Sequence, residues 1–367
     1  MVAKKQLIML PGPTNLHPRV MEALSKPIIN HRGPGFHELH DRVLEKVKYV
    51  FQTENDVFVL TSSGTGGVEC ILGNTLSPGD EVVVPVYGEF SHRLKEKIEA
   101  FGGAPIEVPA EWGKAATAEQ IESAIEGHDV KAVAVVYNET STGVKVPDLR
   151  KIGEVAKKHD ALFMVDAISI LGGDELPVDE WGVDLCVTGS QKCLACPPGL
   201  ALISVSERAW ETIGQTKPRT FYFNLPRMKE YQKRKETPFT PAVHLWYALD
   251  EAITMIQEEG LEKRIERHRE CARLFYDALM GLKLELFADE RWRSNTVIAV
   301  RNPPGVPDTE LRRLMREKHG VVIAGGMGKL KGETFRIGNM GIVSKREVTM
   351  TIDALRDALS ELGALKL

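Results

Sequence analysis

Up to about Ser206 the chain alternates between two kinds of hydrophobic patterning. Short, β-branched, nearly continuous apolar runs at Val57–Thr61, Glu81–Val86, Val130–Tyr137, Ala161–Asp166, Asp184–Thr188 and Leu200–Val205 read as buried strands. Between them Gly66–Thr75, Phe90–Phe101, Thr117–Glu126 and Leu149–Lys158 read as helices. Strand–helix alternation of this kind predicts an α/β fold with a mostly parallel sheet covered by helices on both faces.

After Pro241 the spacing changes. Val243–Glu259, stopped by Gly260, and Leu261–Met280 carry apolar residues at helical intervals. Strands are expected near Asn295–Val300 and Thr334–Ile337, with helices at Asp308–Lys318 and Lys345–Leu362. The expected organisation is an N-terminal segment over 1–20, a large domain over 21–260 and a smaller α+β domain over 261–367. Thr216 to Phe239, rich in basic residues, prolines and aromatics, reads as an ordered excursion from the first domain.

The 367 residues leave room for about two domains and a large core. Lys plus Arg is 47 against 51 Asp plus Glu, so no excess of positive charge is available to grip a phosphate backbone, and nucleic acid is not an expected partner. Apolar runs fall far short of the roughly 18 residues that span a bilayer, so no membrane insertion is expected. Pro11-Gly12-Pro13 cuts the first apolar stretch short of a signal-peptide core, and five cysteines are too few and too odd in number for a disulfide framework. Both observations point to the cytoplasm. The final Leu-Lys-Leu differs from a peroxisomal tripeptide at its first position, which is not small.

Three segments carry chemistry. Thr61-Ser62-Ser63-Gly64-Thr65-Gly66-Gly67 follows a strand and opens a helix, where exposed backbone N–H groups and the helix dipole bind a phosphate; a glycine-rich turn needed only for packing has the same appearance. It lacks the lysine of a P-loop and the glycine spacing of a dinucleotide fingerprint. Asp166 ends an apolar strand at the edge where parallel sheets bind ligands, although a strand-end Asp also caps helices. Lys192 follows a strand among small and apolar residues, where burial lowers an amine's pKa and suits it to imine formation; a surface lysine at a turn is the plainer alternative.

Together these segments resemble the pyridoxal-phosphate enzymes of fold type I, specifically the class V aminotransferases, and among them the alanine–glyoxylate and serine–glyoxylate (serine–pyruvate) enzymes. The likeness spans nearly the whole chain: Pro11-Gly12-Pro13-Thr14, Ser63-Gly64-Thr65, Asn138-Glu139-Thr140-Ser141-Thr142-Gly143, Val165-Asp166-Ala167, Gly189-Ser190-Gln191-Lys192, Pro197-Pro198-Gly199, Thr237-Pro238-Phe239-Thr240-Pro241 and Phe335-Arg336-Ile337-Gly338.

The resemblance implies that Lys192 forms the Schiff base and then moves the substrate proton, and that Asp166 holds the pyridine nitrogen. It puts Ser63, Gly64, Thr65 and Gln191 on the phosphate, Phe90 against the ring where many relatives have Trp, and Thr140 near the phenolic oxygen. Arg336 would clamp the substrate carboxylate, for which its planar fork is suited, with Gly12 beside the substrate. Thr237 and Thr240 would reach the phosphate in the other subunit of a homodimer whose active sites are shared. The implied reaction moves an amino group from alanine or serine to glyoxylate or pyruvate.

Alternatives are an enzyme of the same family acting on aspartate or another dicarboxylate, with Arg32 as the second cation, a pyridoxal-phosphate lyase or desulfurase, and a non-enzymatic dinucleotide-binding module. A desulfurase needs a cysteine on a mobile loop, whereas Cys271 lies in a charged helical run. Cys193 and Cys196 have no partner pair at ligand spacing, so no metal is expected. His31, His37 and His40 read as an active-site loop leading into a helix, with His31 and Arg32 bordering the substrate pocket.

Overall fold

The computed structural model describes residues 6–365; Lys4 and Lys5 at the start and the last two residues of the C-terminal tripeptide lie outside the described residues. Seven strands form the central sheet: β1 (Asp56–Thr61), β2 (Glu81–Val86), β3 (Ala104–Pro109), β4 (Val130–Val136), β5 (Leu162–Asp166), β6 (Leu185–Gly189) and β7 (Leu200–Val205). Their order is β1-β7-β6-β5-β4-β2-β3. All run parallel except β7, which is antiparallel to both β1 and β6. The loop Ser190–Gly199 between β6 and β7 contains no crossover helix, and a chain that turns back so soon pairs antiparallel. Lys192 sits on that turn.

Side chains alternate across the sheet. Val133, Val135 and Val165 pack into the apolar cluster on one face, while Ala132, Ala134 and Met164 join the cluster on the other. The helix Gly64–Thr75 packs closely on β6 and β7 because Gly67 has no side chain; a Cβ there would lie 2.7 Å from Val187 and 3.0 Å from Ala201. This approach fixes the helix N-terminus at the carboxyl edge of the sheet.

A third apolar cluster joins Met9 to Cys271, Phe275, Leu311, Phe335 and Leu355. It is built from the helices Leu261–Gly281, Asp308–His319 and Lys345–Glu361 around an antiparallel sheet of β8 (Val297–Arg301), β9 (Ala324–Gly325) and β10 (Thr334–Gly338), in the order β8-β10-β9. Leu7–Ile8 pairs in parallel with Val321–Val322, so the N-terminal segment is anchored on these C-terminal elements and passes from them to Lys192.

The structure adds elements that hydrophobic spacing does not reveal. β3 is one; the helices Pro18–Ala23, Glu207–Gln215 and Leu225–Gln232 are others. The helix expected from Gly66 starts two residues earlier, at Gly64. Among the described residues no helix is long and apolar enough to cross a membrane.

Candidate active site

β5 ends in Asp166, β6 leads into Lys192, and β1 is followed by the helix that starts at Gly64. Parallel strands put these three ends on one edge, and they line a common cavity of about 140 Å³. Ser63, Gly64, Thr65, Phe90, Thr140, Asp166, Gln191 and Lys192, all singled out from the sequence, line it together.

At the helix start, Ser63 is the N-cap and its Oγ accepts a hydrogen bond from Gly66 N at 3.4 Å. The first intrahelical bond runs from Gly67 N to Ser63 O, leaving the N–H groups of Gly64 and Thr65 ahead of it at the positive end of the helix. The side chains of Ser63 and Thr65 are exposed. Gln191 adds a carboxamide whose NH2 can donate to an anion, its buried oxygen having no hydrogen-bond partner. This is a polar cradle of the kind that receives a phosphate.

Asp166 is buried, and one oxygen accepts a hydrogen bond from Ile168 N at 3.0 Å. Burial raises its pKa above the ordinary carboxylate value, partly offset by the Ile168 N–H. Among the described residues it forms no ion pair, so it suits a ligand atom that carries positive charge. Burial acts in the opposite sense on Lys192 and lowers its amine from 10.5 to about 8. Its Nζ donates to the Pro11 carbonyl. Gly12, at φ +91°, lies against the lysine stem, and a Cβ there would fall 2.5 Å from Lys192 Cδ. Gly12 therefore makes room for the catalytic candidate.

Pyridoxal phosphate presents an anionic phosphate, a ring nitrogen that must stay protonated, and an aldehyde carbon that condenses with an amine. The cavity offers a partner to each: N–H groups with an unpartnered carboxamide, a buried carboxylate without a cation, and an amine of lowered pKa. The residues present fit that group.

Arg336, on β10, donates from Nε to Gly325 O at 2.9 Å and from Nη1 to Thr140 O at 3.0 Å, and burial lowers its pKa to about 10. Its Nη2 makes no hydrogen bond among the described residues, which leaves part of the fork for a carboxylate; Arg336 and Gly12 do not themselves line the Lys192 cavity, and Arg336 adjoins it through the carbonyl of Thr140, which does.

Thr237 and Thr240 are not in the Lys192 cavity of their own chain. They line a separate small cavity with Thr61 and Trp246, where Thr237 Oγ1 donates to Phe239 O at 2.7 Å and Thr240 is exposed. Arg32 is engaged on the same segment, donating to Glu236 and to Thr237 O, each at 2.7 Å. The expectation that His31 and Arg32 border the substrate pocket is not met by the cavity lining within this chain. The neighbouring histidines follow the expected order of a loop leading into a helix: His31 precedes the helix Pro34–Phe51, and His37 and His40 lie on it. His40 is buried and stacked on Trp246, where desolvation lowers its pKa, as expected of a core histidine.

Arg93, Lys97, Asn138 and Ser169 also line the cavity and were not singled out from the sequence. Phe90, Arg93 and Lys97 recur at helical spacing on one face of the helix Glu89–Ala100, a periodicity that points to the site only once Phe90 is placed in it. All five cysteines are buried and free, and among the described residues no group of three or more His, Cys, Asp or Glu could hold a metal.

A family model described as class-V aminotransferase matches residues 10–332. An uncharacterized aminotransferase of Methanocaldococcus jannaschii is 44% identical over 364 residues, covering 98% of this chain and 94% of that protein. Among solved structures, ureidoglycine–glyoxylate aminotransferase from Bacillus subtilis superposes with a TM-score of 0.94 at 33% identity, covering 99% of this chain and 95% of that one. Alanine–glyoxylate aminotransferase from Nostoc sp. gives a TM-score of 0.94 at 32% identity, with 98% and 96% covered.

Proposed function

The chain belongs to the class-V aminotransferases, whose cofactor is pyridoxal phosphate, and from that premise we propose that it transfers an amino group from alanine or serine to glyoxylate or pyruvate. The observation that carries this choice is Arg336. It is a buried guanidinium with one nitrogen left free, which suits a substrate carboxylate, while Arg32, the candidate named for a second carboxylate, is engaged by Glu236. Two solved relatives named for glyoxylate support the acceptor.

When bound, the cofactor supplies the electron sink that makes the substrate Cα–H acidic. The chain supplies the rest. Ser63, Gly64, Thr65 and Gln191 would hold the phosphate, Asp166 would keep a proton on the ring nitrogen, and Phe90 would lie against the ring. Arg336 orients the substrate through its carboxylate, with Gly12 alongside. The Lys192 amine, which burial lowers to about 8 so that a larger share is neutral than in an exposed lysine, would take the proton from Cα and return it on the cofactor side.

A panel of alanine, serine and aspartate, each mixed with the yellow enzyme in a single turnover and then chased with glyoxylate, pyruvate or 2-oxoglutarate, tests the assignment. Alanine or serine should bleach the visible band fastest, and glyoxylate or pyruvate should restore it. Aspartate as the fastest donor would overturn the monocarboxylate reading.

The proposal includes a homodimer with shared sites. Thr240 is exposed and outside the Lys192 cavity of its own chain, and it follows Phe239, whose ring lies 5.8 Å from that of Phe221, itself 69% exposed. Mixing inactive Lys192→Ala with an inactive Thr240→Trp variant should restore part of the activity after subunit exchange, because one site of each heterodimer is then intact. Exchange confirmed by mass without recovery would contradict sharing. Five free, buried cysteines support placing the enzyme in a reducing compartment such as the cytoplasm.

A further inference from the structure

We propose that Glu139 is a positioning residue whose buried carboxylate ties the helix carrying Phe90 to the turn carrying Thr140, and so sets the spacing of the walls between which the cofactor ring lies. Glu139 is fully buried. Its Oε1 accepts from Phe90 N at 3.2 Å, Ser141 N at 3.1 Å and Ser141 Oγ at 2.6 Å. Its Oε2 accepts from Ser91 N at 2.8 Å, and Ser91 Oγ, 2.9 Å away, is shared with the Gly88 carbonyl.

Two of these donors, Phe90 N and Ser91 N, are orphan N–H groups in the first turn of the helix Glu89–Ala100. No side chain at the N-cap serves them, because the N-cap is Gly88. A Cβ at Gly88 would lie 2.4 Å from Glu139 Cδ, so that glycine is what lets the carboxylate reach the helix end. The other donors belong to Ser141, next to Thr140, and Ser141 Oγ also accepts from Glu89 N at 3.0 Å. Thr140 in turn receives Arg336 Nη1 on its carbonyl. One carboxylate thus connects the ring-covering side chain, the residue beside the phenolic oxygen and, through Thr140, the carboxylate clamp.

An anion buried this deeply is tolerated because its acceptor capacity is filled. The requirement is specific for a carboxylate. In Glu139→Gln the amide NH2 must replace one of the two oxygens, and each faces at least one backbone N–H that cannot turn away: Ser91 on one side, Phe90 and Ser141 on the other. Either orientation sets donor against donor and pushes the helix end from the turn.

The inference rests on the placement of Phe90 against the ring, and its test separates the two. Holoenzyme of wild type, Glu139→Gln, Phe90→Ala and the double variant Ser91→Ala with Ser141→Ala would be compared by visible circular dichroism, which reports how the ring is held. Cofactor loss on dilution would be followed alongside. Glu139→Gln should lose most of the visible dichroic band and release cofactor about tenfold faster, the effect of about one hydrogen bond to a charged group. The double serine variant, which keeps the carboxylate and its three N–H donors, should change in the same direction but less. If Glu139→Gln does not fold, the double variant decides alone. A wild-type band and wild-type retention in the folded Glu139 variant, or in the double variant where it alone is folded, would overturn the proposal. If Phe90→Ala shifts the band while these do not, the Phe90 placement stands and only the role of Glu139 falls. An unmoved band in Phe90→Ala as well brings down both.

Discussion

Lys192→Ala should lower turnover by about ten-thousandfold, the scale of a lost general base, while the protein still binds cofactor through its phosphate cradle. The argument rests on position and on acidity. The lysine occupies the β6–β7 turn and lines the cavity, and burial holds its amine at about 8 where an exposed lysine would lie at 10.5. Because the neutral amine is the nucleophile, capture of added cofactor by the apoprotein should increase with pH, with a midpoint near 8 and a plateau above it. Stopped-flow absorbance across pH 6 to 11 measures this directly. A midpoint near 10.5 would show that burial does not act on the amine, and wild-type turnover in Lys192→Ala would remove it from the mechanism.

Asp166→Ala should leave the fold intact and cost about a thousandfold in rate, the scale of losing one preorganised electrostatic partner of the developing charge. The carboxylate is buried, has one backbone N–H on it and carries a raised pKa. A cation placed against such a group reverses the cost of its burial, so carboxylate and ring nitrogen stabilise each other, with the proton on the nitrogen. Asp166→Asn keeps the shape without the charge and should be nearly as slow. Steady-state kinetics with a melting curve for each variant separates lost chemistry from lost folding. Near-normal rates in Asp166→Ala would mean that the ring nitrogen lies elsewhere.

Much of the site was legible in the sequence because it stands at strand ends. An apolar run that stops at a carboxylate, as β5 does at Asp166, or at a lysine among small residues, as β6 does shortly before Lys192, announces both the sheet and its functional edge. β3 was missed because Pro105 and Pro109 break its signal. The structure shows why they are tolerated: β3 is the edge strand, where an absent N–H costs no ladder bond on the open side. Glu139 was quoted only as part of a motif, since a charged residue before Thr, Ser and Thr reads as loop. Its burial depends on a helix end 48 to 49 residues earlier in the chain, a contact that no local pattern encodes. Arg93 and Lys97 were hidden for a similar reason, because a helix face rich in Lys and Glu reads as solvated until the sheet edge that it covers is known.

The central claim is that Lys192 holds the cofactor in the cavity it shares with Asp166. Borohydride reduction of the yellow holoenzyme fixes the cofactor on whichever amine carries it, and peptide mass mapping then locates the label. The expected result is one pyridoxyl group per chain on the peptide containing Lys192, and none in Lys192→Ala. Label on Lys97, the other lysine lining the cavity, or on any other amine, would contradict the account.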